Sequence, residues 1–175
     1  MDSELRSVWV ARRSVPLPIE MDPRPTWGFN RAELFGRDRW RAVCDEDAGK
    51  ADGHCEACLS PLENSLDCDP MWSWRLVEVT SGTVFLLRRL TRIRALDREC
   101  FLATHYGWTG VLGVQDAARE RLARVNGLSQ HKVETMITNA FELWRWRSSF
   151  ECLTDLRSGE PVRDPGSVRR LEVDQ

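Results

Sequence analysis

The sequence is poor in lysine, in long apolar runs and in net charge. Lys50 and Lys132 are the only lysines, so arginine carries nearly all the positive charge. The formal net charge is only -2 across 175 residues. Such a balance gives no global attraction to nucleic acid, and any contact with phosphates has to come from a local patch. No stretch is long and apolar enough to cross a bilayer, so no membrane partner is expected. The first residues, MDSELRS, contain no apolar h-region, and from this a cytoplasmic protein without a signal peptide is expected. Nothing in the sequence marks a small-molecule substrate, an internal repeat or a low-complexity tract.

Against these absences stand 8 tryptophans and 6 cysteines. The tryptophans suit a small core built from large plates. Cysteines of a reducing compartment point to a metal before a disulfide. The length fits one domain with ragged ends: a proline-rich extended arm over 1–26, a domain over 27–156 and a flexible tail over 157–175.

Along the chain, Phe29 or Asn30 is a candidate opening for a first helix running to about Asp45, with Leu34, Phe35, Trp40 and Val43 as its apolar positions. The acidic stretch DEDAGKADGH reads as a loop. Alternation over 72–79, a turn at Thr80-Ser81-Gly82 and an apolar run over 83–90 predict a β-hairpin. A short helix is expected from about Arg98 to His105, ending near Gly107. Residues 115–125 form the next helix, closed by Asn126-Gly127. Ser129 is a suitable N-cap for the last one, whose stripe Val133, Met136, Ile137, Ala140, Phe141 and Trp144 follows helical spacing.

Cys55-Glu56-Ala57-Cys58 is the sharpest local motif. Two thiolates at this spacing sit on one tight turn and can grip a single tetrahedral ion, which needs two more ligands from elsewhere. Cys44, Cys68 and Cys152 read as small buried hydrophobes. His54 reads as a turn cap, and His131 as an exposed residue in the first turn of a helix. Arg88, Arg89, Arg92 and Arg94 cluster at the end of the hairpin, either as a phosphate-binding patch or as a charged sheet edge that discourages aggregation. Trp146, flanked by Arg145 and Arg147, suits base stacking or a protein partner.

The order of these features from about Trp27 to Leu156 resembles a subgroup of HNH-endonuclease-like proteins of bacteria and phages. That subgroup has a leading helix, a Cys-x-x-Cys knuckle and a Cys-His-Glu segment followed by Trp-Ser-Tyr. A hairpin, a Cys-x-x-Cys-His…His segment and two closing helices around Val-Asn-Gly complete it. Here Cys68-Asp69-Pro70-Met71-Trp72-Ser73-Trp74 stands for the Cys-His-Glu-x-Trp-Ser-Tyr stretch. Asp97-Arg98-Glu99-Cys100-Phe101…His105 stands for the Cys-x-x-Cys-His…His segment, and Val125-Asn126-Gly127 is kept. The resemblance implies an α+β fold with a ββα-metal core containing the hairpin, flanked by an N-terminal helix and two C-terminal helices that pack as a pair over the sheet. It also implies a structural Zn2+ held by Cys55, Cys58, Cys100 and Asp97. Cys44 or His54 is an alternative fourth ligand, and a metal-free knuckle is the remaining reading.

The departures fall on the chemistry. The resemblance puts the general-base histidine at Asp69 and the first histidine of the metal pair at Phe101, leaving His105. Asp69 is a weak base for activating water. The leading expectation is therefore an impaired nuclease that binds DNA or a nucleic-acid-processing protein. An active endonuclease using Mg2+ or Mn2+ on Asp69 and His105 is the alternative. A third reading is an interaction or inhibitor module of phage or mobile-element origin.

Overall fold

The computed structural model describes residues 17–27, 36–62, 66–78 and 82–155. Among the described residues are five α-helices and a three-stranded sheet: α1 Arg37–Lys50, β1 Asp67–Glu78, β2 Val84–Leu96, α2 Arg98–Thr104, α3 Tyr106–Leu112, α4 Gln115–Asn126, α5 Gln130–Arg147 and β3 Cys152–Asp155. The class is mixed α and β. The expected tail over 157–175 and the first sixteen residues of the arm lie outside the described residues, as does the expected opening of the first helix at Phe29 or Asn30. Among the described residues, no helix is long and apolar enough to cross a membrane.

The sheet order is β1-β2-β3, with β1 antiparallel and β3 parallel to the central β2. The hairpin is longer than its sequence pattern. β1 starts at Asp67 rather than Trp72, and takes in Pro70. A proline is tolerated there because β1 is an edge strand and its outer side needs no ladder bond. β2 continues to Leu96 rather than ending at Leu90, and so carries all four arginines. Each of those charges meets a carboxylate: Arg88 with Asp22, Arg89 with Asp155, Arg92 with Glu56 and Arg94 with Asp69. β3 has no counterpart in the sequence reading, since Cys152–Asp155 is too short for alternation to show.

Two further boundaries move. The helix α1 runs through the acidic stretch to Lys50 and is turned out by Asp52 and Gly53, both at positive φ, rather than stopping near Asp45. Gly107 does not end a helix but lies inside α3. Its missing side chain serves close approach, because a Cβ there would stand 3.0 Å from the Met21 sulfur. At the other end of the chain the cap signals hold: Gly127 takes the left-handed conformation after α4, and the Ser129 side chain accepts from Lys132 N.

The main core lies between the end of β2, α2, α4 and α5. Leu96, Cys100, Phe101, Leu122, Val133 and Ile137 meet there. Of the closing helices, α4 packs chiefly on α2 and α3, and α5 on α4, not over the sheet as expected. Val133 and Ile137 of α5 join the main core, and α2 already covers that end of the hairpin. A smaller core under α1 joins Trp40, Val43, Cys44, Cys68, Leu90 and Ile93. Cys44 and Cys68 are buried as expected but are joined as a disulfide, a pairing the sequence reading did not anticipate. Their Cα atoms lie 5.7 Å apart, within disulfide range. The arm segment lies along the domain: Asn126 clasps Leu17 through both its backbone N–H and C=O, and Glu20 N donates to Thr104 O at 2.8 Å.

Leu122 is fully buried at the meeting of α2, α4 and α5. Leu122→Ala is expected to cost about 2–5 kcal/mol, read from chemical denaturation against wild type. A loss under about 1 kcal/mol would mean that this core is not a packed one.

Candidate metal centre

Two segments, the knuckle and the start of α2, bring the predicted ligands together. The knuckle over 51–62 is a compact turn: Cys55 N donates to Ser60 O and Leu59 N to Cys55 O, each at 2.8 Å. Leu59 at φ 65 completes the reversal. Glu56 fastens this turn to the end of β2. Its N–H donates to Ala95 O and its carboxylate accepts from Ala95 N, both at 2.9 Å, while Arg92 binds the second oxygen. At the start of α2, Asp97 is the N-cap and accepts from Cys100 N at 2.7 Å. That cap orients Asp97 and Cys100 toward the knuckle, one turn apart.

The ligand atoms of Cys55, Cys58, Asp97 and Cys100 all lie within 4.8 Å of one another. In a tetrahedral zinc site with bonds near 2.3 Å, neighbouring donors stand about 3.8 Å apart. The arrangement therefore closes on an ion with small side-chain rotations. All three cysteines are free thiols, with Cys55 and Cys100 buried. The donor set fits a borderline-soft dication and fits poorly the hard, oxygen-seeking Mg2+ or Ca2+. Of the proposed fourth ligands, Asp97 lies in the group, whereas Cys44 is tied to Cys68 and His54 Nδ1 bonds Asp52 O at 2.6 Å.

The thiols compete for a single ionised form. Hydrogen bonds from Cys100 and then Cys55 hold the Cys58 thiol far below the ordinary range. Hydrogen bonds to Cys55 and Cys58, with burial, push Cys100 far above it. For Cys55, the hydrogen bond with Cys100 lowers the value, but that with Cys58 and burial prevail and push it up to about 11. A dication relieves this competition by stabilising all three thiolates together.

Arg121 of α4 also faces the group, which nothing in the sequence disclosed. Its guanidinium donates to Asp97 Oδ2 at 2.5 Å, to Cys58 Sγ at 3.1 Å and to Cys100 Sγ at 3.3 Å. A dication held by three thiolates and a carboxylate leaves excess negative charge, and Arg121 offsets part of it. On the sequence Arg121 looks like any charge on the polar face of a helix, and Glu56 like a spacer inside the knuckle.

Asp69 and His105, which the resemblance alone puts at catalytic positions, are also brought together. His105 Nε2 donates to Asp69 Oδ1 at 3.1 Å, and Arg94 pairs with Asp69 Oδ2. The Asp69 carboxyl is fully buried. Burial alone would raise its pKa, but the hydrogen bond and charge of His105 and the charge of Arg94 hold it below the ordinary carboxylate value. Phe101 packs in the core with its ring 4.5 Å from that of His105.

The arginine cluster is dispersed. Arg88 and Arg94 are buried, Arg89 pairs with the buried Asp155, and Arg92 alone stands half-exposed, against Glu56. Trp146 is exposed at the end of α5 as expected, its ring edge-on to Phe150, while Arg147 turns back over the ring of Trp74. No protein-family model, curated protein or solved structure matches this chain.

Proposed function

We propose that this chain is a zinc-stapled, catalytically impaired HNH-like protein that acts by binding, with a nucleic-acid-processing protein as its partner. One observation carries the loss of catalysis: the carboxylate at the general-base position, Asp69, is sealed from solvent between Arg94 and His105. A base must reach the water it activates, and this one is already committed to two cationic or N–H partners. An active site rebuilt on Mg2+ or Mn2+ would have to displace Arg94 from a buried ion pair.

The choice of a protein partner over nucleic acid rests on the surface. All four arginines of the candidate phosphate patch are engaged by carboxylates, of Asp22, Asp155, Glu56 and Asp69. Exposed apolar side chains remain on the helices, among them Val111, Leu112, Leu143 and Trp146. Such groups suit a protein interface better than a phosphate backbone. A bound Zn2+ at the four-ligand centre would fix the knuckle on α2 and so hold this surface in shape.

Incubation with supercoiled DNA and with RNA, in Mg2+ and in Mn2+, tests the reading. No cutting is expected, and DNA binding should be weak and vanish as salt is raised. Cutting that disappears in Asp69→Ala and His105→Ala would overturn it in favour of an active nuclease.

A further inference from the structure

A pocket of about 420 Å³ opens between the arm, α3 and α5. Its walls are largely aromatic: Trp27, Trp108, Phe141 and Trp144 line it, with Glu20, His105 and the Arg88-paired Asp22 as polar members. The walls are built in place. A single carbonyl, Asp22 O, accepts the indole N–H of Trp27 at 2.8 Å and of Trp144 at 3.2 Å. The two indoles lie nearly parallel, 21° apart, with centroids at 6.1 Å. Trp27 and Trp108 stand exposed at the rim.

Glu20 is out of place in such a setting. Its backbone is pinned to Thr104 O, which holds its side chain toward the pocket. No hydrogen bond or ion pair to its carboxylate is found among the described residues. A carboxylate in a largely apolar pocket without a donor is costly. The rings nearby already show what they attract: the Arg24 guanidinium lies 5.1 Å from the centroid of Trp144, and that of Arg98 lies 5.4 Å from that of Trp108.

We infer that this pocket binds an organic cation of the alkylammonium class, with its N–H groups on Glu20 and its aliphatic stem against the tryptophans. The unpartnered carboxylate asks for a charged donor, and the walls ask for hydrocarbon. An ammonium on an aliphatic stem supplies both, from either a free polyamine or a lysine side chain. None of its lining residues belongs to the cysteine group, and it shares Val111 with the apolar surface proposed above.

Binding should depend on pH. Burial, then the charges of Asp69 on β1 and Asp22 on the arm, push Glu20 up to about 7, against the opposing charges of Arg94 on β2 and Arg147 on α5. His105 lines the same pocket and bonds Asp69. A cation stabilises the ionised carboxylate, so affinity rises as pH passes through 7 and the ligand finds Glu20 already charged.

The experiment is a titration of the full chain with n-butylammonium, followed by tryptophan fluorescence and by NMR. Butan-1-ol serves as the neutral isostere and tetramethylammonium as a cation without N–H groups. Saturable binding is expected for butylammonium, at least tenfold weaker for either control, and tighter at pH 8 than at pH 6. Glu20→Gln should weaken it tenfold or more and remove the pH dependence. The Glu20→Gln protein is expected to melt no lower than wild type at pH 8, which keeps folding out of the comparison. Trp108→Ala, at the exposed rim, should weaken binding in a folded protein. Butanol binding as tightly as butylammonium, or Glu20→Gln leaving its affinity unchanged, would overturn the inference. 1,4-Diaminobutane and a blocked lysine amide, run side by side, distinguish the two sources by which binds more tightly.

Discussion

Cys100→Ser is expected to abolish zinc binding at the cysteine group and to remove much of the folded stability. Cys100 is fully buried and belongs at once to the ligand group and to the main core, beside Leu96, Leu122 and Val133. The knuckle is a short turn joined to the rest by Glu56 on Ala95, by Ala57 and Leu62 against the main core and by the candidate ligand group. In small folds that depend on it, structural zinc contributes on the order of 10 kcal/mol. Here an independent core shares the load, so that figure is a ceiling. A loss of several kcal/mol would still be a large part of the roughly 5–15 kcal/mol that holds a domain folded. Thermal unfolding with and without a strong chelator is the measurement. Chelated wild type should melt near the Cys100→Ser protein, and the variant should not respond to the chelator. Cys152→Ser, a free and half-buried cysteine outside the group, should behave as wild type. Equal melting of wild type with and without chelator would remove the metal from the account of stability.

The second large effect is expected at Asp69. Asp69→Asn leaves the Arg94 guanidinium buried without its counter-charge, and breaking a buried pair from one side costs about 3–5 kcal/mol. Removing both charges, as Asp69→Asn with Arg94→Met, should recover much of that loss, because the unpaired charge and not the missing pair is the penalty. The pH dependence follows from the lowered pKa of Asp69. Its stabilisation is present in full above the unfolded value of 3.8 and is lost as pH falls through the lower folded value. The stability gap between wild type and Asp69→Asn should therefore be constant above about pH 5 and close in acid. Urea denaturation across pH reads it. A single variant as stable as wild type at pH 7 would mean that Arg94 is not held in a dry pair.

These two sites differ in how far the sequence disclosed them. Cys55-x-x-Cys58 is a local motif, and its reach to Asp97 and Cys100 came from the resemblance, so the whole ligand group was legible. The helix caps Gly127 and Ser129 were legible for the same reason, since capping is written within four residues. What escaped depends on partners distant along the chain. Arg88, Arg89 and Arg94 read as a charged end to the hairpin because Asp22, Asp155 and Asp69 lie 66, 66 and 25 residues away. The same holds for Arg121 at the metal centre, the Cys44–Cys68 pair and the Glu20 pocket. A carboxylate opposite an arginine changes a surface charge into an interior one, and no local pattern records it.

The central claim is that Cys55, Cys58, Cys100 and Asp97 form one zinc site. Elemental analysis of the purified protein with X-ray absorption at the zinc edge tests it most directly. The account predicts about one zinc per chain with three sulfurs near 2.3 Å and one oxygen near 2.0 Å, lost in Cys58→Ser. No zinc in the purified protein, or a shell with nitrogen or a fourth sulfur in place of the oxygen, would contradict it.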